Sequence, residues 1–436
     1  MFGKMKAITI LALLAIVAGC AVQKDKNKRL TDYVNPFIGT TTLWDSIDLG
    51  YNPTRRAWGA ETFPGASLPN SMVQVTPVTM WRSGSGYQYE DTIIHAFVHT
   101  SKGHWNLCYV PLIAVSGNVE PKSYYTGYSH DNESASPGYY QVYLKKYDIN
   151  AEVTSSLRCG YHKYTYKNGK EKKLLVDLSH SNEHIRSWNI EKAGDNVFSG
   201  YQQTGPTFYF YAVTNHKIKD IESLKDGDTE VRIVNFINNE NINDPLEMKV
   251  GFSYVSVENA KKNLEAEILK KDFEQVRNEA SDTWEGLLSK IQVSGGTEIQ
   301  KETFYSALYK AFLWPILLSD VNGEYVDAKG EVVNKGFRYY SEPSFWDDYR
   351  NKLILLGMVS PDVTADVIKS ITDYGEIRGF MPRFFHGDHA SVFVTGSYLR
   401  GIHDFDVQKA YKILLNNAFA EGKGSRPHIK EYMERG

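Results

Sequence analysis

Two short segments in the last third of the chain combine acidic, basic and aromatic side chains. The first contains Trp346, Asp347 and Arg350, and the second contains Asp388 and His389. On a helix, Asp347 and Arg350 would lie three residues apart on one face. An arginine in that position keeps a carboxylate ionised, and an ionised carboxylate accepts hydrogen bonds from hydroxyl groups but is a poor acid near neutral pH. Trp346 would add a flat apolar wall for a ring-shaped ligand.

Both segments also have a structural interpretation. Asp347 and Arg350 could form an ordinary ion pair beside a core tryptophan, and from these residues alone that interpretation is favoured. A hydrogen bond between Asp388 and His389 could orient the start of a helix, or the two residues could hold a ligand. The residues leave both alternatives open for the second segment.

Motifs for metal binding and nucleophilic catalysis are weak. His99 and His104 are five residues apart, which is a poor spacing for two ligands on one strand or helix face. With Trp105, they are predicted to be core or surface residues, and the alternative is that they reach from a loop into a pocket. No acidic, oxygen-rich calcium loop is present in the sequence. Nucleophile-elbow, phosphate-loop and His-Glu-x-x-His motifs are also missing from it.

The elements that must position these side chains change in kind along the chain. From about residue 31 to 257, short runs rich in Val, Ile, Tyr, Phe and Thr are broken by Gly, Asn, Asp and Pro. This pattern predicts a large antiparallel β-sandwich. Residues 161–166 alternate large and polar side chains, Asn168-Gly169 is a strong turn signal, and the apolar run 174–176 follows. A hairpin is therefore predicted at this point.

Helical spacing replaces the strand pattern after residue 257. Residues 258–294 are predicted to be a helical linker, and residues 295–436 a helical domain. The apolar stripe of the linker is Phe273, Val276, Ala280, Trp284, Leu287 or Leu288, and Ile291. The later predicted elements are a helix with Phe304, Leu308, Ala311 and Phe312 on its apolar face, a hairpin around residues 322–330, and helices over residues 346–358, from Ser360-Pro361 onward, 391–399 and 406–418.

The amino terminus has the pattern of an export signal. Lys4 and Lys6 precede an apolar run over residues 7–17, and small residues then lead to Cys20. This resembles a bacterial lipoprotein signal over residues 1–20, which implies cleavage before Cys20, acylation of its thiol, and residues 21–30 as a tether. An ordinary signal peptide is the alternative. The predicted location is membrane-anchored, in the periplasm or at the cell surface.

Composition limits the remaining possibilities. The 436 residues predict two or three domains, and the net charge of −3 without a basic stripe excludes nucleic acid as an expected partner. The 29 tyrosines could stack on sugar rings, but composition alone favours the interpretation that they fill sandwich cores. Cys108 and Cys159 are predicted to be buried free thiols, with a disulfide between them as the alternative.

Several runs, in order, resemble glycoside hydrolase family 92, a bacterial family of calcium-dependent, inverting exo-α-mannosidases. The runs are residues 33–40 (YVNPFIGT), 62–66 (TFPGA), 72–77 (MVQVTP), 135–140 (ASPGYY), 175–180 (LVDLSH), 304–309 (FYSALY), 345–350 (FWDDYR) and 387–389 (GDH). They extend from about residue 31 to the end of the chain. Single runs are weak signals, but this many in the right order are a strong one.

The resemblance implies a β-sandwich, a helical linker and the first part of an (α/α)6 barrel. It implies removal of terminal α-linked mannose, of the α-1,2 type, from glycans, with calcium held largely by residues outside this chain. It also assigns sugar holding to Trp346, Asp347 and Arg350, and so favours that interpretation over the structural one. The family's acid lies in a Gly-Asn-Glu-Pro-Ser-His-His run and its base in a Gly-Asn-Asp-Asp run. Neither occurs here, so no catalytic residue is assigned, and both are expected beyond residue 436.

The sequence also departs from the family pattern. Ser71 stands where the family often has Gly, Asp348 stands where it often has Thr, and residues 102–107 replace a small, Gly-rich run. These departures leave linkage preference open. The helical array is expected to be cut at residue 436, and the chain alone to be inactive. The alternative function is a non-catalytic carbohydrate-binding surface lipoprotein.

Overall fold

The computed structural model describes residues 28–42, 50, 52, 60–102, 105–167, 170–237, 244–383, 387–422 and 426–436. The predicted signal, Cys20 and most of the predicted tether lie outside the described residues. His104 lies outside them as well, and of Trp105 only the backbone is described.

Two antiparallel sheets occupy the first part of the chain. The first sheet contains β1 (Ala66–Ser67), β2 (Gln74–Val78), β4 (Ala96–Val98), β7 (Leu112–Val115), β13 (Lys173–Val176), β17 (Ile218–Asp226) and β18 (Thr229–Phe236), in the order β1-β2-β4-β7-β13-β18-β17. The second contains β9 (Glu133–Ser136), β10 (Tyr139–Leu144), β11 (Ile149–Ser155), β12 (Cys159–Tyr166), β14 (Ser187–Gly194), β15 (Val197–Gln203), β16 (Thr207–Thr214) and β19 (Leu246–Ser253), in the order β14-β15-β16-β19-β12-β11-β10-β9. Small pairs are formed by β3 (Ile93–Ile94) with β8 (Thr126–Gly127) and by β5 (Ser101–Lys102) with β6 (Trp105–Asn106).

The core lies between the two sheets because their strands alternate apolar and polar residues. In β16, Phe208, Phe210 and Ala212 are buried, while the residues between them are half-exposed. Phe97 from the first sheet packs in the same core. Alternation of this kind buries one face of each antiparallel sheet against the other. The predicted sandwich is confirmed in this respect.

The predicted hairpin after residue 161 is wrong. The strands β12 and β13 do not pair with each other. β12 pairs with β11 and β19 in one sheet, whereas β13 pairs with β7 and β18 in the other. Leu174 and Leu175 are fully buried, as suits a central strand rather than the partner in a local hairpin. The turn residues Asn168 and Gly169 lie outside the described residues.

Helices follow the sheets. They are α1 (Val257–Glu267), α2 (Phe273–Leu288), α3 (Glu298–Ala311), α4 (Phe345–Asp348), α5 (Lys352–Val359), α6 (Pro361–Arg378), α7 (His389–Leu399), α8 (Val407–Phe419) and α9 (Ile429–Arg435), with the hairpin β20 (Tyr325–Val326) and β21 (Val332–Val333) between α3 and α4. The predicted linker stripe is confirmed, since Phe273, Val276, Ala280 and Trp284 are all buried in α2. Asp272 caps α2 by accepting a bond from the backbone N–H of Gln275.

Two helical predictions need correction. Leu308 and Phe312 are buried as predicted, but Phe304 is partly exposed, and Tyr305 and Tyr309 complete the buried face of α3 in its place. The single helix predicted over residues 346–358 is instead the pair α4 and α5. The chain breaks between them, and the side chain of Asn351 accepts a bond from the backbone N–H of Lys352 to start α5. A side chain that caps a backbone N–H in this way favours a helix start over helix continuation.

Polar contacts join the helices to the sheets. Asp320, in the loop after α3, is buried and accepts hydrogen bonds from Ser253 Oγ at 2.7 Å, Asn259 Nδ2 at 2.8 Å and Asn263 Nδ2 at 2.7 Å. Ser253 ends β19, and the two asparagines lie in α1. One carboxylate therefore connects three parts of the chain.

The first described residues also pack on the helices. Glu285 of α2 accepts hydrogen bonds from the backbone N–H of Leu30 at 3.1 Å and of Thr31 at 3.0 Å. The backbone N–H of Asn35 donates to Ser306 Oγ of α3 at 2.8 Å. The segment before the sandwich is thus held by the linker and the first helix that follows it.

Cys108 and Cys159 are buried free thiols, as predicted, and burial raises the pKa of both well above the usual value.

None of the described helices has the length and apolar character needed to cross a membrane.

Candidate functional site

A cavity of about 220 Å³ lies between the segment before β1 and the helices α3 to α5. Its lining includes one glutamate, two aspartates and two lysines, together with apolar and hydroxyl side chains. The lining residues are Ala60, Glu61, Thr62, Phe63, Lys310, Leu313, Trp314, Ser344, Asp347, Asp348 and Lys352. Both parts of the chain therefore contribute to one cavity.

Asp347 is the sequence-predicted residue that lies in this cavity. It belongs to the short helix α4, in which Phe345 and Asp348 are buried while Trp346 and Asp347 are exposed. The hydroxyl group of Ser344 donates a hydrogen bond to Asp347 Oδ2. This leaves further acceptor capacity on the carboxylate, since an ionised carboxyl group accepts about four hydrogen bonds.

Asp348, the last residue of α4, forms an ion pair with Lys352, the first residue of α5. The Nζ of Lys352 lies 3.2 Å from Asp348 Oδ2, and both side chains are largely buried. Burial raises the pKa of Asp348, while the charge of Lys352 opposes that rise. Burial also lowers the pKa of Lys352, whose ammonium group lies 4.8 Å from the centre of the Trp314 ring. The carboxyl group of Asp348 is therefore already paired with a lysine of the protein.

Lys310, near the end of α3, joins two loops at the cavity. Its Nζ donates to the carbonyl oxygen of Pro36 at 2.7 Å and to that of Phe63 at 2.8 Å. Burial lowers the pKa of Lys310 to about 7. A neutral amine retains two N–H groups, which is the number that these two carbonyl oxygens require.

The other residues of the first predicted segment point elsewhere. Trp346 is 51% exposed and is not part of the cavity lining. Within the described part of the chain, Arg350 makes no ion pair with Asp347. Its Nε donates to Tyr349 Oη at 2.6 Å. The predicted Asp347–Arg350 pair is therefore wrong, because α4 ends at Asp348 and the helical spacing on which the pair depended is lost.

Asp388 and His389 form a separate group at the start of α7. The side chain of Asp388 is buried and accepts hydrogen bonds from Ser391 Oγ, from Asn417 Nδ2 at 2.9 Å and from Arg426 Nη2 at 2.8 Å. The ring of His389 stacks on that of Tyr349, with centroids 4.1 Å apart. These contacts favour the structural interpretation of Asp388.

His99 is a core histidine. It is fully buried in the sandwich, where its Nδ1 bonds to the carbonyl oxygen of Val110 at 3.0 Å and its Nε2 lies 2.9 Å from His162 Nε2. Burial lowers the pKa of His99 to about 3 and that of His162 well below its usual value. Neutral imidazoles of this kind stabilise the core by hydrogen bonding.

A larger cavity of about 720 Å³ lies between the sandwich and the β20–β21 hairpin. The carboxyl groups of Glu183, Asp327 and Glu342 are part of its lining, together with Tyr109, Tyr209 and Tyr254. None of the site residues predicted from the sequence belongs to this lining.

Glu61, Lys310 and Lys352 line the cavity that contains Asp347 but were not predicted from the sequence. Glu61 immediately precedes the TFPGA run, and Lys310 immediately follows the FYSALY run. Their positions beside family-like runs were a usable signal. The pairing of Asp348 with Lys352 had no such signal, because the two residues belong to different helices that are separated by the break at Asn351.

The comparisons agree with this architecture. A family model of the glycosyl hydrolase family 92 N-terminal domain matches residues 33–265, and a model of the family 92 catalytic domain matches residues 259–436. The chain belongs to glycosyl hydrolase family 92. The resemblance identified from the sequence is thereby confirmed. No curated protein gives a significant match.

Solved structures share the fold of this family 92 chain. The family GH92 α-mannosidase BT3965 from Bacteroides thetaiotaomicron is 25% identical, with a TM-score of 0.82 over 93% of this chain and 59% of that protein. The inverting mannosidase BT2199 from Bacteroides thetaiotaomicron VPI-5482 is 21% identical, with a TM-score of 0.82 over 94% of this chain and 59% of that protein. The chain therefore spans less than two thirds of the length of these relatives.

Proposed function

We propose that this family 92 chain is the sugar-holding part of an exo-α-mannosidase that releases terminal α-linked mannose from glycans. The observation that carries the proposal is the cavity that contains Asp347, built from both family 92 domains. The relative BT3965 is described as an α-mannosidase and has been solved in complex with mannoimidazole. That description supports mannose as the sugar.

The cavity offers groups suited to holding a sugar ring. The carboxylate of Asp347 accepts hydrogen bonds from hydroxyl groups, and the side chain of Trp314 supplies an apolar wall. Asp348 is engaged by Lys352, so it is a poor candidate for proton transfer. We assign sugar binding to Asp347, and no proton-transfer role to any residue of this chain. Trp346 and Arg350 remain proposed sugar contacts outside the cavity, as do Asp388 and His389, for which the structural role has more support.

Inverting hydrolysis needs a protonated carboxyl group and an ionised carboxylate roughly 6.5–9.5 Å apart. The two family runs that carry this acid and base do not occur in the 436 residues. We propose that both groups belong to sequence beyond residue 436, within the rest of an (α/α)6 barrel.

The direct test compares this chain with a polypeptide extended by downstream sequence, using an aryl α-mannoside as substrate. We expect turnover by the extended form alone, because proton transfer contributes about 10²–10⁴-fold to such reactions. Equal turnover by the 436-residue chain would overturn the assignment of the acid and base. Sugar binding without turnover by either form would favour the alternative, a non-catalytic carbohydrate-binding lipoprotein.

Calcium dependence is proposed for the longer polypeptide only. Calcium takes six to eight oxygen ligands, and the described residues contain no group of three or more metal-ligating side chains. The described His, Cys, Asp and Glu residues therefore do not form a calcium site by themselves. We expect a chelator to abolish hydrolysis by the extended form while leaving the melting temperature of this chain unchanged. A calcium-dependent melting temperature for this chain would contradict the proposal.

Linkage preference of the α-1,2 type is a further proposal. Its support is the family resemblance. The residues of this chain do not add to that support, because the segment 102–107 departs from the family pattern. Hydrolysis of α-1,2-, α-1,3- and α-1,6-linked mannobiose by the extended form would test it. A preference for either of the last two linkages would refute it.

We also propose that Cys20 anchors the mature protein to a membrane, in the periplasm or at the cell surface. The support is the lipoprotein-like run that ends at Cys20. Replacement of Cys20→Ser is expected to move the protein from the membrane fraction to the soluble fraction and to abolish incorporation of labelled palmitate. Unchanged fractionation and labelling would refute the anchor.

A further inference from the structure

The cavity of about 720 Å³ (the larger cavity) lies beside the cavity that contains Asp347 (the Asp347 cavity). The indole N–H of Trp314, which lines the Asp347 cavity, donates to Ser341 Oγ at 2.9 Å, and Ser341 lines the larger cavity. Ile316, two residues after Trp314, lines the larger cavity as well. Two residues span at most about 7 Å of chain. The two linings are therefore neighbours in the fold.

The sandwich contributes a tyrosine ring to the larger cavity. Phe208 and Phe210 of β16 are buried in the core, so Tyr209 between them lies on the outer face of the sheet, where it is half-exposed. Tyr209 is part of the cavity lining, and the ring of Tyr201 in the neighbouring strand β15 lies 6.1 Å from its ring, centroid to centroid. An accessible tyrosine ring offers a ligand both an apolar face and a hydroxyl group.

The β20–β21 hairpin contributes two valines to the same cavity. Val326 and Val332 are paired across the hairpin, so their side chains lie on one face of it. Both belong to the cavity lining, and they are 36% and 52% exposed. The hairpin therefore presents an accessible apolar surface on the helical side of the cavity.

Glu183 supplies a carboxyl group whose two oxygens differ in their hydrogen bonding. The hydroxyl groups of Tyr109 and Thr204 both donate to Glu183 Oε2, the second at 2.8 Å. Oε1 accepts no hydrogen bond from the described residues. Glu183 is exposed, and both it and Tyr109 line the larger cavity. Because an ionised carboxyl group accepts about four hydrogen bonds, Glu183 retains capacity for the hydroxyl groups of a ligand.

The charges of the lining limit the class of ligand. The lining contains the carboxyl groups of Glu183, Asp327 and Glu342, and its described residues include no lysine, arginine or histidine, so an anion is disfavoured. The bonds to Glu183 come from hydroxyl groups, and those to Asp327 Oδ1 come from the backbone N–H groups of Lys329 and Glu331. Neutral donors already satisfy part of both carboxyl groups. A neutral ligand that combines hydroxyl groups with an apolar face, as a sugar ring does, fits this lining.

The sizes of the two cavities suit different parts of an oligosaccharide. The Asp347 cavity is about 220 Å³, whereas the larger cavity lies within the 300–1,000 Å³ typical of small-molecule sites. A terminal sugar in the smaller cavity would still be attached to the rest of its glycan. The neighbouring cavity, with an aromatic ring, two valines and a carboxyl group, is suited to the sugars that follow.

We propose that the larger cavity binds sugar residues of a mannose-containing oligosaccharide beyond the terminal mannose. The inference rests on the proposed function for the terminal mannose in the Asp347 cavity. Tyr209 stacks on a sugar ring, Glu183 accepts a hydrogen bond from a hydroxyl group, and Val326 and Val332 contact the apolar face of a ring. The substrate class is then an oligosaccharide rather than a short mannoside.

The test uses isothermal titration calorimetry of the 436-residue chain with methyl α-mannoside and with linear mannotrioses. Mannotrioses with α-1,2, α-1,3 and α-1,6 linkages are all titrated, so the result does not depend on the proposed linkage. We expect at least one of them to bind about tenfold more tightly than methyl α-mannoside. This affinity ratio should fall about tenfold in Tyr209→Ala and in Glu183→Gln, the size of effect for one lost ring contact or one lost bond to a charged group.

Tyr143→Ala is the matched control. Tyr143 is a half-exposed tyrosine of β10, its hydroxyl group donates to Asp148, and it is not part of the lining. This variant should keep the wild-type affinity ratio. Thermal melting of every variant detects unfolding, and Glu183→Gln, which preserves the size of the side chain, decides the test if Tyr209→Ala does not fold. An unchanged ratio in folded Tyr209→Ala and Glu183→Gln would overturn the proposal.

An organic cation is the alternative ligand, because the lining carries carboxyl groups and tyrosine rings. Tetramethylammonium is the probe for it, added in competition with the tightest mannotriose. We expect it to leave the affinity for the mannotriose unchanged. Tetramethylammonium binding that both Tyr209→Ala and Glu183→Gln abolish, without preferential binding of any mannotriose, would overturn a sugar as the ligand.

Failure of this inference can be separated from failure of the proposed function. If the wild-type chain binds no mannotriose more tightly than methyl α-mannoside, while the extended polypeptide hydrolyses α-mannosides, the role of the larger cavity alone is overturned. Mannotriose binding that depends on Tyr209 and Glu183, in an extended polypeptide that never cleaves mannosides, would uphold the larger cavity and overturn the hydrolase.

Discussion

At the scale of single residues, burial changes the protonation of the lysines around the cavity. Lys310 and Lys352 both have lowered pKa values, and desolvation is the leading cause in each case. Lys310 differs in that its partners are neutral carbonyl groups rather than a carboxylate. Its proton is therefore the easier of the two to lose near neutral pH.

This difference predicts a pH dependence of stability. The pKa of Lys310 falls from 10.5, the ordinary value, to about 7 in the folded chain. Between these values the unfolded chain binds more protons than the folded one, so the free energy of unfolding should rise with pH from about 7 to about 10. Melting temperatures across this range should rise more in the wild type than in Lys310→Met. Parallel curves for the two proteins would contradict the prediction.

Asp388 allows the two interpretations of its segment to be separated. Asp388→Ala removes an acceptor from Asn417 and Arg426, and we expect a loss of about 1–3 kcal/mol in the free energy of unfolding, because buried donors lose their partner. Denaturant unfolding measures the loss, and the better-supported structural role predicts that affinity for methyl α-mannoside stays unchanged. Weaker sugar binding at unchanged stability would instead assign Asp388 to the ligand.

At the scale of helices and strands, sequence periodicity correctly predicted the features that depend on burying one apolar face of an element. The stripe around Trp284 was predicted correctly because α2 packs one apolar face on the sandwich, where the indole N–H also donates to the carbonyl oxygen of Ser67 at 2.7 Å. The hairpin at Asn168-Gly169 was predicted wrongly because turn propensity is local, whereas strand partners are chosen across both sheets. The break at Asn351 was not predicted because the sequence pattern around it is helical. The Asn351 side chain nevertheless caps the backbone N–H of Lys352 and so ends the helical path there.

The contact between β10 and α2 gives a prediction at this scale. Gly138 precedes β10 with φ of +81°, and an added Cβ atom would lie 2.5 Å from the Cβ of Ala280 in α2. Gly117 has a similar φ of +72° but open space around it. Both alanine variants incur the backbone cost of about 1 kcal/mol. Gly138→Ala should lose about 1–3 kcal/mol more than Gly117→Ala because of the clash. Equal unfolding midpoints for the two variants would show that α2 adjusts freely.

The cavity itself was only partly predictable. Asp347 was found because its run resembles a family motif. Glu61 was not, since its place in the lining follows from packing of the segment before β1 against the helices, which no spacing pattern shows. Contacts between residues so distant in the sequence arise from the packing of whole elements.

At the scale of the whole molecule, Asp320 connects the sandwich, the linker and the helical part. Asp320→Ala leaves Ser253, Asn259 and Asn263 without this acceptor. We expect a loss of about 2–3 kcal/mol, the upper range for hydrogen bonds to charged groups, and earlier exposure of the helices to a protease. Asp404→Ala is the control, because Asp404 is 86% exposed and pairs with Lys369 at the surface. Equal proteolysis of both variants would contradict this connecting role.

The attachment of the first described segment to α2 and α3 has a consequence for folding. Thr31 and Glu285 are 254 residues apart in the sequence, so the ribosome must release the entire sandwich before this segment finds its partner. Contacts between such distant residues slow folding, because a long loop must close before they form. The leading segment would therefore stay undocked while the sandwich folds, and the cavity between the segment before β1 and the helices α3 to α5 would be among the last features to form.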